Sequence, residues 1–232
     1  MLHNPLRFSS VFFGLLLLAV FQFSCAPVYV PTVINQPLFK EKGDFKASLH
    51  GGISGWDAQT AYAVTDHVGI MAQGSFENFN SDETDDYHHH IFGEVGGGYF
   101  KALGQYGRFE AYGGAGIGKI NVLNGSGYLE DYSDAVFGKV FIQPGIGFAS
   151  DYVDFSFAPR IVWADILNQS AHRSRFFAEP AITGKVGYKK VKGVLQLGFS
   201  LPLGSRALDF YYQPFIISFG IQTDLNFLKK KE

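Results

Sequence analysis

The chain has one cysteine, Cys25, so no disulfide forms within it. Charged residues make up only 17% and nearly cancel, with a formal net charge of −2. Without a basic excess, nucleic acid is not an expected partner. No apolar run reaches the about 20 residues that a membrane-crossing helix requires; Val11–Phe21 stops short of it. A nucleotide-binding signature is also incomplete. Gly113, Gly118 and Lys119 in EAYGGAGIGKI fit G-x-x-x-x-G-K, but Ile120 stands where Ser or Thr would ligate Mg²⁺.

Glycine, at 28 residues, and aromatics, at 16%, are abundant. Aromatics favour strands and repeated glycine disfavours long helices, so the composition predicts a β fold. Near the start, Arg7 precedes the apolar core Val11–Phe21, whose length suits an export signal over residues 1–24. Ser24-Cys25 follows it and resembles the lipobox of bacterial lipoproteins. That resemblance implies fatty acyl chains such as palmitate on Cys25, which becomes the first residue. Gln22 departs from the leucine usual in the motif, and an ordinary signal peptide with an incidental cysteine is the alternative. Residues 25–43 (CAPVYVPTVINQPLFKEKG) contain three prolines and read as an extended tether, with partial insertion into a lumen as the alternative.

From Asp44 onward apolar and polar residues alternate with the period of strands. The expected strands are Phe45–Gly52, Ala58–Thr65, Val68–Phe79, His90–Lys101, Arg108–Val122, Ala135–Ser150, Val153–Ile166, Ala178–Tyr188, Val191–Leu201 and Asp209–Thr223. They number about ten, with roughly eight as the alternative count, and several are long enough to cross an outer membrane at a tilt. Their connections alternate between tight (near residues 65–68, 102–107, 150–153 and 189–193) and longer and polar (80–89, 123–134, 167–177 and 202–208). The short turn near Ile53–Trp56 is the exception.

The two faces differ. One holds Phe45, Ala47, Leu49, Val68, Ile70, Ala72, Phe76, Val95, Tyr99, Val140, Ile142, Ile146, Phe148, Leu195, Leu197 and Phe199. The other holds Lys46, Ser48, Gln73, Ser75, Gln143 and Gln196 together with Glu77, Glu94, Glu110, Lys139, Arg160 and Lys185. A membrane barrel turns its apolar face outward and tolerates polar residues in its lumen; a lipocalin-like soluble barrel inverts this around a hydrophobic ligand. Periodicity alone does not orient the faces. Loop asymmetry and the coherence of the charged face favour the membrane version. Within Arg108–Val122, Phe109, Ala111, Gly113, Ala115 and Ile117 then point outward. Gly114, Gly116 and Gly118 point inward with Tyr112, leaving space for bulky lumen residues such as Tyr112 or Phe137. No phosphate loop is expected there.

These segments and loops resemble the small outer-membrane β-barrel proteins of Gram-negative bacteria, in a lipoprotein-anchored version. The resemblance spans residues 44–227, with the last strand carrying Phe215, Ile217, Phe219 and Ile221 and with Phe227 beyond it. The tail 228–232 is basic and departs from the usual terminal aromatic. An all-β, antiparallel, up-and-down transmembrane barrel in the cell outer membrane is thereby implied. Its partners would be outer-membrane lipids, the barrel-assembly and lipoprotein-export machinery, and an envelope protein.

Candidate chemistry is sparse. Glu77, Glu94, Glu110, Lys139, Arg160 and Lys185 are expected to form a paired charge network that fills the lumen, since buried charges need partners. Residues 81–90 (SDETDDYHHH) carry carboxylates and histidines. Consecutive histidines on a strand alternate sides, and no EF-hand spacing is present, so a solvated outer loop rather than a metal site is expected. No cofactor is expected. His50 beside Ser48 reads as a lumen hydrogen bond rather than catalysis, Ala171–Arg175 as a basic outer loop, and Trp56 and Trp163 as interfacial aromatics. The expected role is structural or interaction-based and not enzymatic. A narrow solute channel, a lipid- or peptide-modifying barrel enzyme and a lipid-tethered soluble barrel binding a hydrophobic ligand are the alternatives.

Overall fold

A computed structural model describes residues 27–80, 87–123, 132–168, 173–204 and 210–226. The signal region, Cys25, residues 81–86 of the acidic run, Ala171 and His172 of the basic loop and the tail 227–232 lie outside them. All regular structure among the described residues is β. The strands are β1 (Asp44–Gly52), β2 (Gly55–Ala63), β3 (Val68–Asn80), β4 (Tyr87–Leu103), β5 (Gly107–Leu123) and β6 (Tyr132–Ala149). They continue as β7 (Val153–Ile166), β8 (Arg173–Tyr188), β9 (Val191–Phe199), β10 (Leu201–Pro202) and β11 (Phe215–Asn226).

From β1 to β9 each strand pairs antiparallel with its neighbour in sequence, β9 pairs with β11, and β11 closes the ring on β1, with Phe45 opposite Leu225 and Leu49 opposite Ile221. The result is a ten-strand up-and-down barrel. The short β10 follows β9 after Ser200 and extends its pairing with β8. Closure leaves none of the ten barrel strands at an open edge; β10 alone pairs on one side only among the described residues. The starts of two expected strands move most: β8 starts at Arg173 rather than Ala178, and β11 at Phe215 rather than Asp209. The reason for the latter lies in Tyr211 and Tyr212, which pair with the N-terminal segment instead of the sheet: Val28 and Tyr29 N–H both donate to Tyr211 O.

The alternation places the apolar set outside. Leu49, Ile70, Val95, Ile117, Ile142, Phe155, Ile182, Leu197 and Phe219 are exposed around the whole circumference, with Val95 and Phe219 each 65% accessible. Inward positions between them are buried and largely polar: Gln59, Glu94, Glu110, Lys139, Gln143, Arg160, Glu179, Lys185 and Gln196. Aromatics gather near the tight-turn end, where Tyr106 lies against Phe148, Tyr152 against Tyr188 and His67 against Tyr99.

The N-terminal segment takes the alternative of lumen insertion rather than the expected tether. Residues 27–43 run inside the barrel, and Val28, Tyr29, Thr32, Val33, Ile34, Asn35, Gln36, Leu38 and Phe39 are all buried. The segment enters beside Tyr211 at the end where the longer connections lie. It leaves at the tight-turn end, where Lys42 N–H donates to Asp66 and Gly43 N–H to Ala63 O. Gly43 makes the reversal into β1 at φ 87°, in the left-handed region that favours glycine. Asp44 caps the turn by accepting from Lys40 N–H at 2.8 Å and Glu41 N–H at 3.2 Å.

Candidate functional site: an occupied lumen

An extended chain inside a barrel has backbone donors and acceptors but no neighbouring strand to satisfy them, and each one left unpaired is costly. Here the inward side chains supply the partners. Gln196 accepts from Ile34 N–H at 2.7 Å and donates to Ile34 O at 2.9 Å, reproducing both hydrogen bonds of a strand neighbour. Gln59 donates to Val33 O, Gln143 to Asn35 O, Lys185 to Gln36 O, Arg160 to Thr32 O, and Glu110 accepts from Phe39 N–H. Pro31 and Pro37 reduce the demand, because proline carries no N–H.

The segment's apolar side chains pack between these polar contacts. Tyr29 stacks on Phe177 with ring centroids 4.2 Å apart, and Phe39 meets Phe100 at 5.2 Å. Ile34 joins Ala158, Ala181 and Ile216. A void of about 20 Å³ remains between the segment and Ser75, His90 and Lys139, which is about the room of one water. The larger concavity, about 1120 Å³, is a dent in the outer wall formed where small outward residues such as Ala47, Ala58, Ala72 and Ala115 cluster.

A buried ionic centre holds the middle. Glu94 pairs with Lys139, and Arg160 lies 3.6 Å from Glu94 and 2.6 Å from Glu179. Two anions thus face two cations. Thr32 of the plug is its hub: its hydroxyl donates to Glu94 at 2.6 Å and accepts from Lys139 at 3.0 Å and Gln73 at 3.1 Å. Tyr29 hydroxyl and Ser200 hydroxyl both donate to Glu179. The plug is therefore part of the ionic centre.

The six sequence-predicted network residues separate into three places. Glu94, Lys139 and Arg160 come together. Glu110 and Lys185 serve the plug backbone instead, with Lys185 also donating to Gln222 at 2.8 Å. Glu77 stands apart toward the longer-connection end, beside His88 and His90. Glu179 was missed by that grouping, although it shares the inward parity of Lys185 on β8 and is directly opposite Arg160 in the register. A further cluster near the tight turns joins Lys192 to Asp154 at 2.7 Å and Lys46 to Asp224 at 2.7 Å. His50 lies 3.0 Å from Ser48, as a lumen hydrogen bond.

The glycines of β5 are room, but for neighbours other than those expected. A Cβ on Gly114 would meet the Phe141 ring at 2.5 Å, and one on Gly118 the Phe92 ring at 2.4 Å. Neither Tyr112 nor Phe137 is what they clear. The strand continues through Lys119, which is exposed, so the G-x-x-x-x-G-K match opens no phosphate-binding helix.

Comparison of the chain with protein-family models and with curated proteins finds no match. What the geometry defines is a closed β-barrel with an apolar exterior and a lumen filled by its own N-terminal segment.

Proposed function

We propose that the chain is an outer-membrane β-barrel lipoprotein with a structural or interaction role, plugged by its own N-terminal segment and presenting its longer connections outside the cell. The observation that carries this reading is the circumferential belt of exposed Leu, Ile, Val and Phe around an ionic interior. In water each large apolar side chain left exposed forgoes about 1.5–3 kcal/mol of burial. A contiguous belt of this extent far exceeds the patches of soluble monomers. A soluble barrel that carries a hydrophobic ligand needs the reverse arrangement, and here the interior holds Glu94, Lys139, Arg160 and Glu179.

Direction follows from the connections. Tight turns face the periplasm in such barrels and longer connections face outward. The plug then enters from the outer side, β1 starts in the periplasm and β11 ends there. Cys25 precedes Pro27 by two residues, which span at most about 7 Å, against about 30 Å of hydrocarbon. An acyl group on Cys25 therefore belongs in the outer leaflet. Outer-membrane lipids contact the belt, and the barrel-assembly and lipoprotein-export machineries deliver the chain. The filled lumen argues for a scaffold displaying outer loops to an envelope partner over a conducting channel, and no catalytic role is assigned.

Both tryptophans, Trp56 and Trp163, lie on the outward face, so intrinsic fluorescence reports what surrounds the belt. In vesicles of brominated phosphatidylcholine the emission is expected to be strongly quenched relative to unbrominated vesicles. Equal emission in both would contradict the proposal.

A further inference from the structure

Glu77, His88 and His90 present ligand atoms to one point. Glu77 on β3 is directly opposite His90 on β4, and His88 lies two residues along the same inward face. His88 Nε2 and His90 Nδ1 are 2.9 Å apart, and the Glu77 carboxylate oxygen is 3.7 Å from the first and 3.9 Å from the second. These carboxylate distances exceed a hydrogen bond. Ligands at about 2.0–2.2 Å from zinc in a tetrahedron are about 3.3–3.5 Å from one another, so on binding the carboxylate closes by a few tenths of an ångström and the two imidazoles, hydrogen-bonded to each other here, part by a similar amount.

An outer-sphere partner is in place for His90, whereas His88 Nδ1 is buried without one among the described residues. Ser75 Oγ lies 3.1 Å from His90 Nε2, the ring nitrogen that faces away from the cluster. A hydrogen bond from Nε2–H to that hydroxyl leaves the Nδ1 lone pair pointing at the cluster, the arrangement by which outer hydrogen bonds orient metal-ligating histidines. His88 and His90 are buried, while the Glu77 side chain is 27% exposed and gives a route from solvent. His89 points the other way and bonds Asn80 at 2.8 Å, which preserves the alternation that argued against three converging histidines. Two histidines and a carboxylate from the neighbouring strand are enough.

We infer that Glu77, His88 and His90 form a site for a divalent first-row transition cation, with Zn²⁺ as its natural probe, near the outer rim of the barrel. Two imidazoles and one carboxylate suit zinc and its neighbours and disfavour Mg²⁺ and Ca²⁺, which take mostly oxygen ligands. Three protein ligands leave a fourth position for water or an outside ligand. The bound ion joins β3 to β4 where their connection leaves the sheet, fixing the base of that outer loop. The inference is independent of the membrane reading, because it needs only the folded barrel.

The test is calorimetric titration of Zn²⁺ into the purified, untagged full barrel in detergent, with Co²⁺ absorption as a second readout of coordination. One Zn²⁺ per barrel is expected, unaffected by excess Mg²⁺, with the intense visible bands of low-coordinate Co²⁺. H88Q and E77Q are each expected to weaken binding by about a hundredfold or more, and Ser75→Ala by about tenfold. H89Q is expected to bind as the native chain does. E77Q keeps a polar side chain at a partly exposed position, so it gives a folded variant should H88Q fail to assemble. Absence of stoichiometric Zn²⁺ binding, or equal affinity in E77Q and the native chain, would overturn the assignment.

Discussion

Gly116 makes room for Glu94: a Cβ placed on Gly116 would lie 2.6 Å from Glu94 Cγ. In the register Gly116 sits between Glu94 on β4 and Lys139 on β6. The two charged side chains therefore pair across a whole intervening strand, over a residue with nothing to obstruct them. The glycine is a condition for the ionic centre.

Gly116→Val is thus expected to push Glu94 off Lys139 and to cost about 3–5 kcal/mol, the range for breaking a buried pair. Gly93→Ala is the matched control on the outward face, where an added Cβ meets nothing within 4 Å, and should be nearly neutral. Urea midpoints of the two variants, followed by the heat-dependent gel shift, compare them.

Arg160 is 1% exposed and bridges Glu179, Glu94 and Thr32 O of the plug. Arg160→Met leaves Glu179 without its guanidinium partner and is expected to cost about 3–5 kcal/mol. Limited proteolysis should then cut within residues 27–43 before it cuts the strands. Simultaneous cleavage of both would mean the plug is not fastened by this centre.

Thr32→Val keeps shape and removes the hydroxyl that Glu94, Lys139 and Gln73 share. A loss of about 1–3 kcal/mol is expected, as for buried polar groups left unsatisfied. Urea unfolding of the variant measures it, and conductance in planar bilayers should rise above the native baseline if the plug loosens.

Gly43 turns the plug into β1 at φ 87°. Gly43→Val is expected to be strained and to lower the unfolding midpoint, by roughly 1–3 kcal/mol for a non-glycine residue held in this region. Equal midpoints would show that the reversal is not needed.

Much of this fold was legible in the sequence because a strand reports its faces every second residue. Ile70, Val95 and Ile142 fell on one side, and Glu94, Lys139 and Arg160 on the other, without any knowledge of partners. The plug was legible only as an alternative to a tether. Pro27, Pro31 and Pro37 announce extended chain, but an extended segment has the same appearance inside a lumen as outside one. What distinguishes it is the set of Gln59, Gln143 and Gln196, whose amides meet its backbone, and that matching is a property of three dimensions. The Glu77–His90 juxtaposition was hidden for a related reason: it depends on the β3–β4 register, which the connection between them does not reveal. Gly116 read correctly as space, but which side chains occupy it required the register of three strands.

Orientation is open to direct labelling. In a Cys25→Ala background, Pro27→Cys and Leu203→Cys should both react with a membrane-impermeant maleimide on intact cells, while Lys190→Cys should not. Pro27→Cys behaving like Lys190→Cys would place the plug entrance at the periplasmic end.

The most direct test of the central claim uses Cys25→Ala behind a cleavable signal. If the barrel itself spans the membrane, the variant stays in carbonate-washed outer membranes and shifts on gels upon boiling. Release into the soluble periplasm would contradict the account and leave the lipid as the sole attachment.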